Sequence, residues 1–132
     1  MNLCSIAMPL SLYATMTSYS FCGVAKNDFD RLRKKYRSLP DDLERFCKFT
    51  LRLEEEKGFP SSNKNYTHLK IFEHYAIYKA HIPCVSLRGN KLRIVYVRQK
   101  QSIEFIVLEL YPKNEKSRED AERIAEYIEN QK

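Results

Sequence analysis

Four absences narrow what this chain of 132 residues can be. No stretch approaches the roughly 18 uninterrupted apolar residues of a membrane-spanning helix, so no membrane segment is expected. The four cysteines are scattered, with no CxxC pair and no Cys/His cluster at zinc spacing, which argues against a metal site. No Lys or Arg precedes Lys26, so the N-terminus lacks the basic region of a secretory signal. A cytoplasmic protein without metal or cofactor is therefore expected.

Acidic residues are also absent between positions 75 and 103, a span that contains six Lys and Arg residues. The whole chain has 23 Lys and Arg against 17 Asp and Glu, so the six account for its entire positive excess. Two apolar runs predicted to be strands, 92–98 and 103–111, begin or end in this region. Positive charge concentrated on one part of a sheet indicates a surface that binds a polyanion.

The pattern of apolar residues predicts the element order β-α-α-β-β-β-α. A helix follows a cap at Asn27 or Asp28, and Ser117 is the expected cap of the last helix. Gly89 and Asn90 are expected to form a tight hairpin turn, and residues 68–72 a short turn or edge strand. The remaining predicted bounds are 18–25 for the first strand, 41–57 for the second helix, 77–87, 92–98 and 103–111 for the later strands, and 118–131 for the last helix.

Strands grouped apart from helices indicate an α+β fold. We expect a small, twisted, mostly antiparallel sheet of four strands, packed with an N-terminal helical hairpin and a C-terminal helix. Residues 16–132 are predicted to form a single domain, since their length suits one hydrophobic core. Residues 1–15 are predicted to be a loose tail or an over-extended start, because Met16 could open the chain by itself.

Four motifs in this order resemble the RelE/ParE superfamily of bacterial toxins from type II toxin–antitoxin systems. They are DFDRLRKKYRSL with PDDL at 28–43, YKAHIP at 78–83, LRIVY at 92–96 and IVLELYPK at 106–113. The resemblance implies the β-α-α-β-β-β-α fold. It also implies a toxin that either cuts messenger RNA, commonly on the ribosome, or poisons DNA gyrase. In both cases a cognate antitoxin protein is the expected partner.

The resemblance also implies a catalytic set. Arg93 matches the arginine that contacts the scissile phosphate, and Lys79 matches the lysine of the preceding strand. His81 stands where many members have a cation, and its spacing from Lys79 predicts the same sheet face. Lys113 falls where cleaving members often carry a cation. Tyr127 is not a match for the C-terminal catalytic tyrosine of some members.

These residue types suit RNA cleavage without metal, which needs a proton acceptor, a proton donor and cations around the phosphate. Further residues are predicted to bind RNA by charge or by stacking on a base: Arg88, Lys91, Tyr96, Arg98 and Tyr111. Strand tyrosines are more often core residues, and Arg93 could be an ordinary exposed arginine. Three interpretations stay open: an endoribonuclease, a gyrase-targeting or inactive member that acts by binding, and a small basic RNA-binding domain.

Overall fold

The computed structural model describes residues 18–58, 66–100, 102 and 104–132. Within these ranges the chain forms five strands and three helices, and the predicted N-terminal tail lies outside them. The bounds are β1 Ser18–Phe21, α1 Ala25–Lys35, α2 Leu39–Lys57, β2 Tyr66–Ile71, β3 Tyr75–Cys84, β4 Leu87–Gln99, β5 Glu104–Pro112 and α3 Ala121–Asn130.

The strands form one mixed sheet in the order β1-β5-β4-β3-β2. The short β1 runs parallel to β5, and the other neighbours are antiparallel. The prediction of a four-stranded sheet is wrong, because β2 pairs with β3 along most of its length and adds a fifth strand at the edge. Of the two alternatives expected for residues 68–72, a turn or an edge strand, the edge strand forms, and it begins at Tyr66. Its mixed sequence, YTHLKI, is compatible with this position, since an edge strand needs no continuous apolar run.

Helices cover both faces of the sheet. On one face, α1 and α2 bury a large apolar cluster that includes Leu32, Leu43 and Tyr96. On the other face, α3 buries a smaller cluster that includes Val95 and Ile124. α1 packs mainly on β5 and α2 mainly on β3, with little contact between the two helices. The predicted helical hairpin is therefore also wrong, because the sheet rather than a partner helix buries each apolar stripe.

The hairpin between β3 and β4 turns at Val85 and Ser86 instead of at Gly89. Gly89, with a φ of 84°, lies in an irregular stretch of β4 between the pairs Ile82–Leu92 and Cys84–Leu87. The start of α2 selects this turn, because the buried carboxylate of Asp42 accepts a hydrogen bond from the Val85 amide at 3.0 Å. Ser38 and Ser86 add two hydrogen bonds beside it.

An irregularity in β5 shapes the α3 face. Val95 pairs with Glu109 and Tyr96 with Val107, so Leu108 is an extra residue in β5. Such a bulge sends neighbouring side chains to the same face. Leu108 joins the α3 cluster, and Glu109 accepts a hydrogen bond from the backbone of Asp120 at 2.7 Å.

Helix α3 begins later than the sequence suggests. Asp120, not Ser117, is its cap, and its carboxylate accepts from the amides of Glu122 and Arg123. Both residues suit a cap, and the hydrogen bond that the Asp120 amide donates to Glu109 selects the later one. Among the described helices, none is long and apolar enough to cross a membrane.

Candidate functional site

Three neighbouring strands bring the four predicted catalytic residues together. Lys79 and His81 lie on β3, Arg93 lies on β4, and Lys113 follows β5 directly. His81 pairs with Arg93 across the two strands, and the amide of Lys113 donates to the Lys91 carbonyl at 2.6 Å. The strand alternation places the side chains of Lys79, His81 and Arg93 on the α3 face, because Ile77 and Val95 of the α3 cluster lie an even number of residues away from them. We call these four residues the cation cluster.

The imidazole of His81 responds to the charges that surround it. Partial burial lowers the pKa of His81 below its ordinary value, and the positive charges of Arg93, Lys113 and Lys79 lower it further. The three cations therefore act on one imidazole through space. At neutral pH this imidazole is uncharged and has a nitrogen that accepts a proton.

A carboxylate that the sequence did not single out completes the geometry. The Nζ of Lys79 donates to Oε1 of Glu119 at 2.9 Å, and both side chains are largely covered. The hydrogen bond from Lys79 lowers the pKa of Glu119 more than burial raises it. Forty residues separate the partners. In the sequence Glu119 looks like an ordinary charge of a first helical turn, so no local signal could have found this contact.

The chain matches no protein-family model, no curated protein and no solved structure. The resemblance to the RelE/ParE superfamily therefore stays a prediction from the four motifs. What the site can do has to be argued from its own residues.

The segment between β5 and α3 is held in place by Glu109, which is 2% exposed. One carboxylate oxygen binds the Nζ of Lys116 and the other accepts from the Asp120 amide. These contacts fix the residues on both sides of Glu119 in relation to β5. The position of Glu119 over Lys79 is thus set by a buried carboxylate of the sheet.

Two of the predicted RNA contacts are wrong. Tyr96 is completely buried on the opposite face, where its ring stacks on Tyr78 at 5.2 Å between centroids. Arg98 is 3% exposed and binds the Glu54 carboxylate through Nε and Nη2. Neither side chain can reach a nucleic acid in the folded chain, because α2 packs Phe46 on Tyr96 and Glu54 on Arg98.

The other three predicted RNA contacts lie near the cation cluster. Arg88 and Lys91 are exposed in the irregular stretch of β4. Tyr111 pairs with Arg93, but it is only 4% exposed, and the Nζ of Lys116 lies 5.4 Å from its ring centre. The pKa of Tyr111 is raised to about 12, mainly by burial and to a smaller extent by the negative charges of Glu119 and Glu109. Its covered ring does not suit stacking on a base, so that part of the prediction is corrected.

Within residues 18–58, 66–100, 102 and 104–132, no group of three or more His, Cys, Asp or Glu side chains is placed to hold a metal ion. The side chains that meet at the site are three cations, one imidazole and one ion-paired carboxylate. Such a set can bind a phosphate and move a proton beside it.

Proposed function

We propose that this protein is the toxin of a type II toxin–antitoxin system and cleaves messenger RNA in the cytoplasm by attack of a ribose 2′-OH on the adjacent phosphate. The observation that carries the proposal is the cation cluster, in which Lys79, Arg93 and Lys113 surround the imidazole of His81. A site meant only to hold a polyanion needs cations, whereas a proton acceptor placed among them suits a reaction.

Each residue then has a chemical role. Arg93 binds the scissile phosphate through the two parallel hydrogen bonds that a guanidinium offers. Neutral His81 accepts the proton of the attacking 2′-OH. Lys113 donates a proton to the leaving 5′ oxygen, and Lys79 stabilises the negative charge that develops on the phosphate. The 2′ oxygen–phosphorus bond forms as the phosphorus–5′ oxygen bond breaks, giving a 2′,3′-cyclic phosphate and a free 5′-OH.

The toxin–antitoxin part of the proposal rests on the four sequence motifs. The geometry is compatible with such a partner, since a flexible acidic segment could cover the cation cluster and lie along an exposed sheet edge. Strand β2 is one edge of the sheet, and Ile71 on it is 59% exposed. Messenger RNA, held on the ribosome, is the proposed substrate.

The test is to induce the chain from Met16 in bacterial cells and to map the 5′ ends of cellular messenger RNA. Growth arrest with new cuts is expected for the wild type. Arg93→Ala should reduce cutting at least about 100-fold, since it removes a phosphate-stabilising group. His81→Ala should also impair it. Arg52→Ala, an exposed arginine on α2, is the matched control and should cut normally.

A second candidate is a gyrase-targeting or catalytically inactive member that acts by binding. The burial of Tyr111 and Tyr127 favours it, because among the described residues of the α3 face neither tyrosine is well exposed for proton transfer. Growth arrest with a DNA-damage response and intact messenger RNA would support the gyrase-targeting hypothesis. Soluble expression without arrest would identify an inactive binding protein, and either outcome would refute the nuclease.

A further inference from the structure

A groove of about 490 Å³ lies between the edge strand β2 and helix α3. Its apolar walls are formed by Leu69, Ile124, Ala125 and Ile128. This volume is within the range of small-ligand sites, which is about 300–1,000 Å³. None of the four residues of the cation cluster lines the groove, so the proposed reaction gives the groove no role.

Glu119 connects the groove to the cation cluster. Its side chain lines the groove and also accepts the hydrogen bond from Lys79. Lys79 in turn pairs across the strands with Thr67 of β2, two residues before Leu69. The groove therefore begins where the phosphate-binding cations end. A phosphate held at Lys79 would place the rest of its nucleotide within reach of the groove.

The rim of the groove carries hydrogen-bonding charges of both signs. Glu119 and Glu129 contribute carboxylates, and Lys70 contributes an ammonium. Apolar walls bury the faces of a flat ring, while carboxylates accept hydrogen bonds from amino groups on its edge. An apolar side chain would use the walls of the groove and not its charged rim, whereas a nucleobase with an amino group fits both features.

We propose that this groove binds the base of the nucleotide that carries the attacking 2′-OH, and that a rim carboxylate, Glu119 or Glu129, favours bases with an exocyclic amino group over uracil. The proposal rests on the proposed nuclease function, because it takes the phosphate to lie on the cation cluster. Cytosine, adenine and guanine present amino hydrogens to a carboxylate, and uracil presents none. The groove would thus give the enzyme its nucleotide preference at the cut.

The experiment is an NMR titration of the full chain with inorganic phosphate and with the 3′-monophosphates of guanosine, cytidine, adenosine and uridine. The amino-bearing nucleotides should bind at least about tenfold more tightly than phosphate, because they also bury the base. The uridine nucleotide should gain less. Ala125→Phe, which fills the groove from α3, should remove this gain and leave phosphate binding unchanged.

Two control variants separate the base site from the phosphate site. Glu126→Phe adds the same ring to the next residue of α3, which does not line the groove, and should bind nucleotides like the wild type. Arg93→Ala should weaken phosphate and every nucleotide alike. A wild-type chain that does not bind inorganic phosphate would count against the nuclease function itself.

Three results would overturn the base site while leaving the nuclease standing. The nucleotides could bind no more tightly than inorganic phosphate, while binding of both still depends on Arg93. Ala125→Phe could leave the nucleotide gain intact. Sedimentation could show a wild-type dimer that Ala125→Phe dissociates, which would make the groove an interface between two copies of the chain.

Discussion

The two faces of the sheet use the same residue types in opposite ways, and two arginines of β4 show it best. Arg93 points to the α3 face and is partly exposed among Lys79, His81 and Lys113. Arg98, five residues later, points to the α1–α2 face and is buried against Glu54. An odd spacing along a strand sends side chains to opposite faces.

The difference comes from what covers each face. Helix α2 is long enough to lay Glu54 over the far end of β4, where it neutralises Arg98, and Phe105 packs 4.3 Å from the guanidinium. On the other face α3 is short and reaches only part of the sheet. The cation cluster stays partly open at the uncovered end. A basic stretch in a sequence is therefore not one surface, because the sheet divides it between structure and chemistry.

The largest test of this contrast is Arg98→Ala. It leaves the Glu54 carboxylate, 9% exposed, without its partner and should lower the free energy of unfolding by about 3–5 kcal/mol. Arg93→Ala should change it by less than about 1 kcal/mol, as is usual for surface substitutions. Urea denaturation of both variants measures the difference. The double change Arg98→Met with Glu54→Leu should recover most of the loss, and equal effects of the two single changes would refute the contrast.

A smaller effect is expected at the polar anchor of α3. Arg123 donates to Asp28 at 2.6 Å and to the Leu108 carbonyl at 3.1 Å, joining α3 to α1 and β5. Arg123→Ala should cost about 1.5–3 kcal/mol, the range for hydrogen bonds to charged groups. Relative to the wild type, amide hydrogen exchange in this variant should accelerate more in α3 than in α2. Arg118→Ala, at an exposed position before α3, is the control, and uniform loosening of both helices would contradict a local anchor.

Smaller still is the stability contributed by the pair between Lys79 and Glu119. Its Nζ–Oε1 distance is short, but the Lys79 side chain is 30% exposed, so water screens the interaction. A double-mutant cycle with Lys79→Ala and Glu119→Gln should give a coupling below about 1 kcal/mol. Cleavage should nevertheless fall strongly with Lys79→Ala. A coupling of several kcal/mol would show that the pair is structural, like the Arg98–Glu54 pair.

The smallest effect on stability is expected from the pH response of His81. Its pKa is lower in the folded protein than in the unfolded chain, where it is about 6.5. The unfolded state therefore binds the proton more readily, and stability should fall as the pH drops below about 6.5. Cleavage should begin to fall at a lower pH than stability does, because the imidazole of the folded protein is protonated only below its own, lowered pKa.

The histidine response is checked by unfolding experiments and cleavage rates between about pH 5 and pH 8, where histidine titrates. His81→Gln should flatten the contribution of this residue to the stability profile. His74→Gln, on the exposed connection between β2 and β3, should leave the profile of the wild type. A cleavage rate that rises as the pH falls through this range would exclude neutral His81 as the proton acceptor.

Much of the helical structure could be predicted from spacing alone. Leu43, Phe46, Cys47 and Leu51 recur at the spacing of one helix face, and all four are buried. The predicted start of α2 at residue 41 is two residues late, since Pro40 lies inside the first turn of the helix. Proline is tolerated in the first turn of a helix, where its missing N–H has no partner in any case. The helix accordingly begins at Leu39.

The candidate site could be predicted in its cations but not in its carboxylates. Lys79 and His81 share a face because side chains two residues apart in a strand point the same way, and this spacing can be seen in the sequence. Glu119, Glu109 and Glu54 have roles that depend on partners far away in the chain. Their surroundings in the sequence are ordinary, so no pattern marked them.

The sequence by itself determined the alternation that separates the two faces of the sheet and the excess of positive charge between positions 75 and 103. Both are local properties, carried by neighbouring residues. Only the tertiary structure decided which cations remain partly exposed, because that depends on strand register, on the bulge at Leu108 and on how far each helix reaches. It buried Arg98 beneath α2 and left Arg93 beside His81.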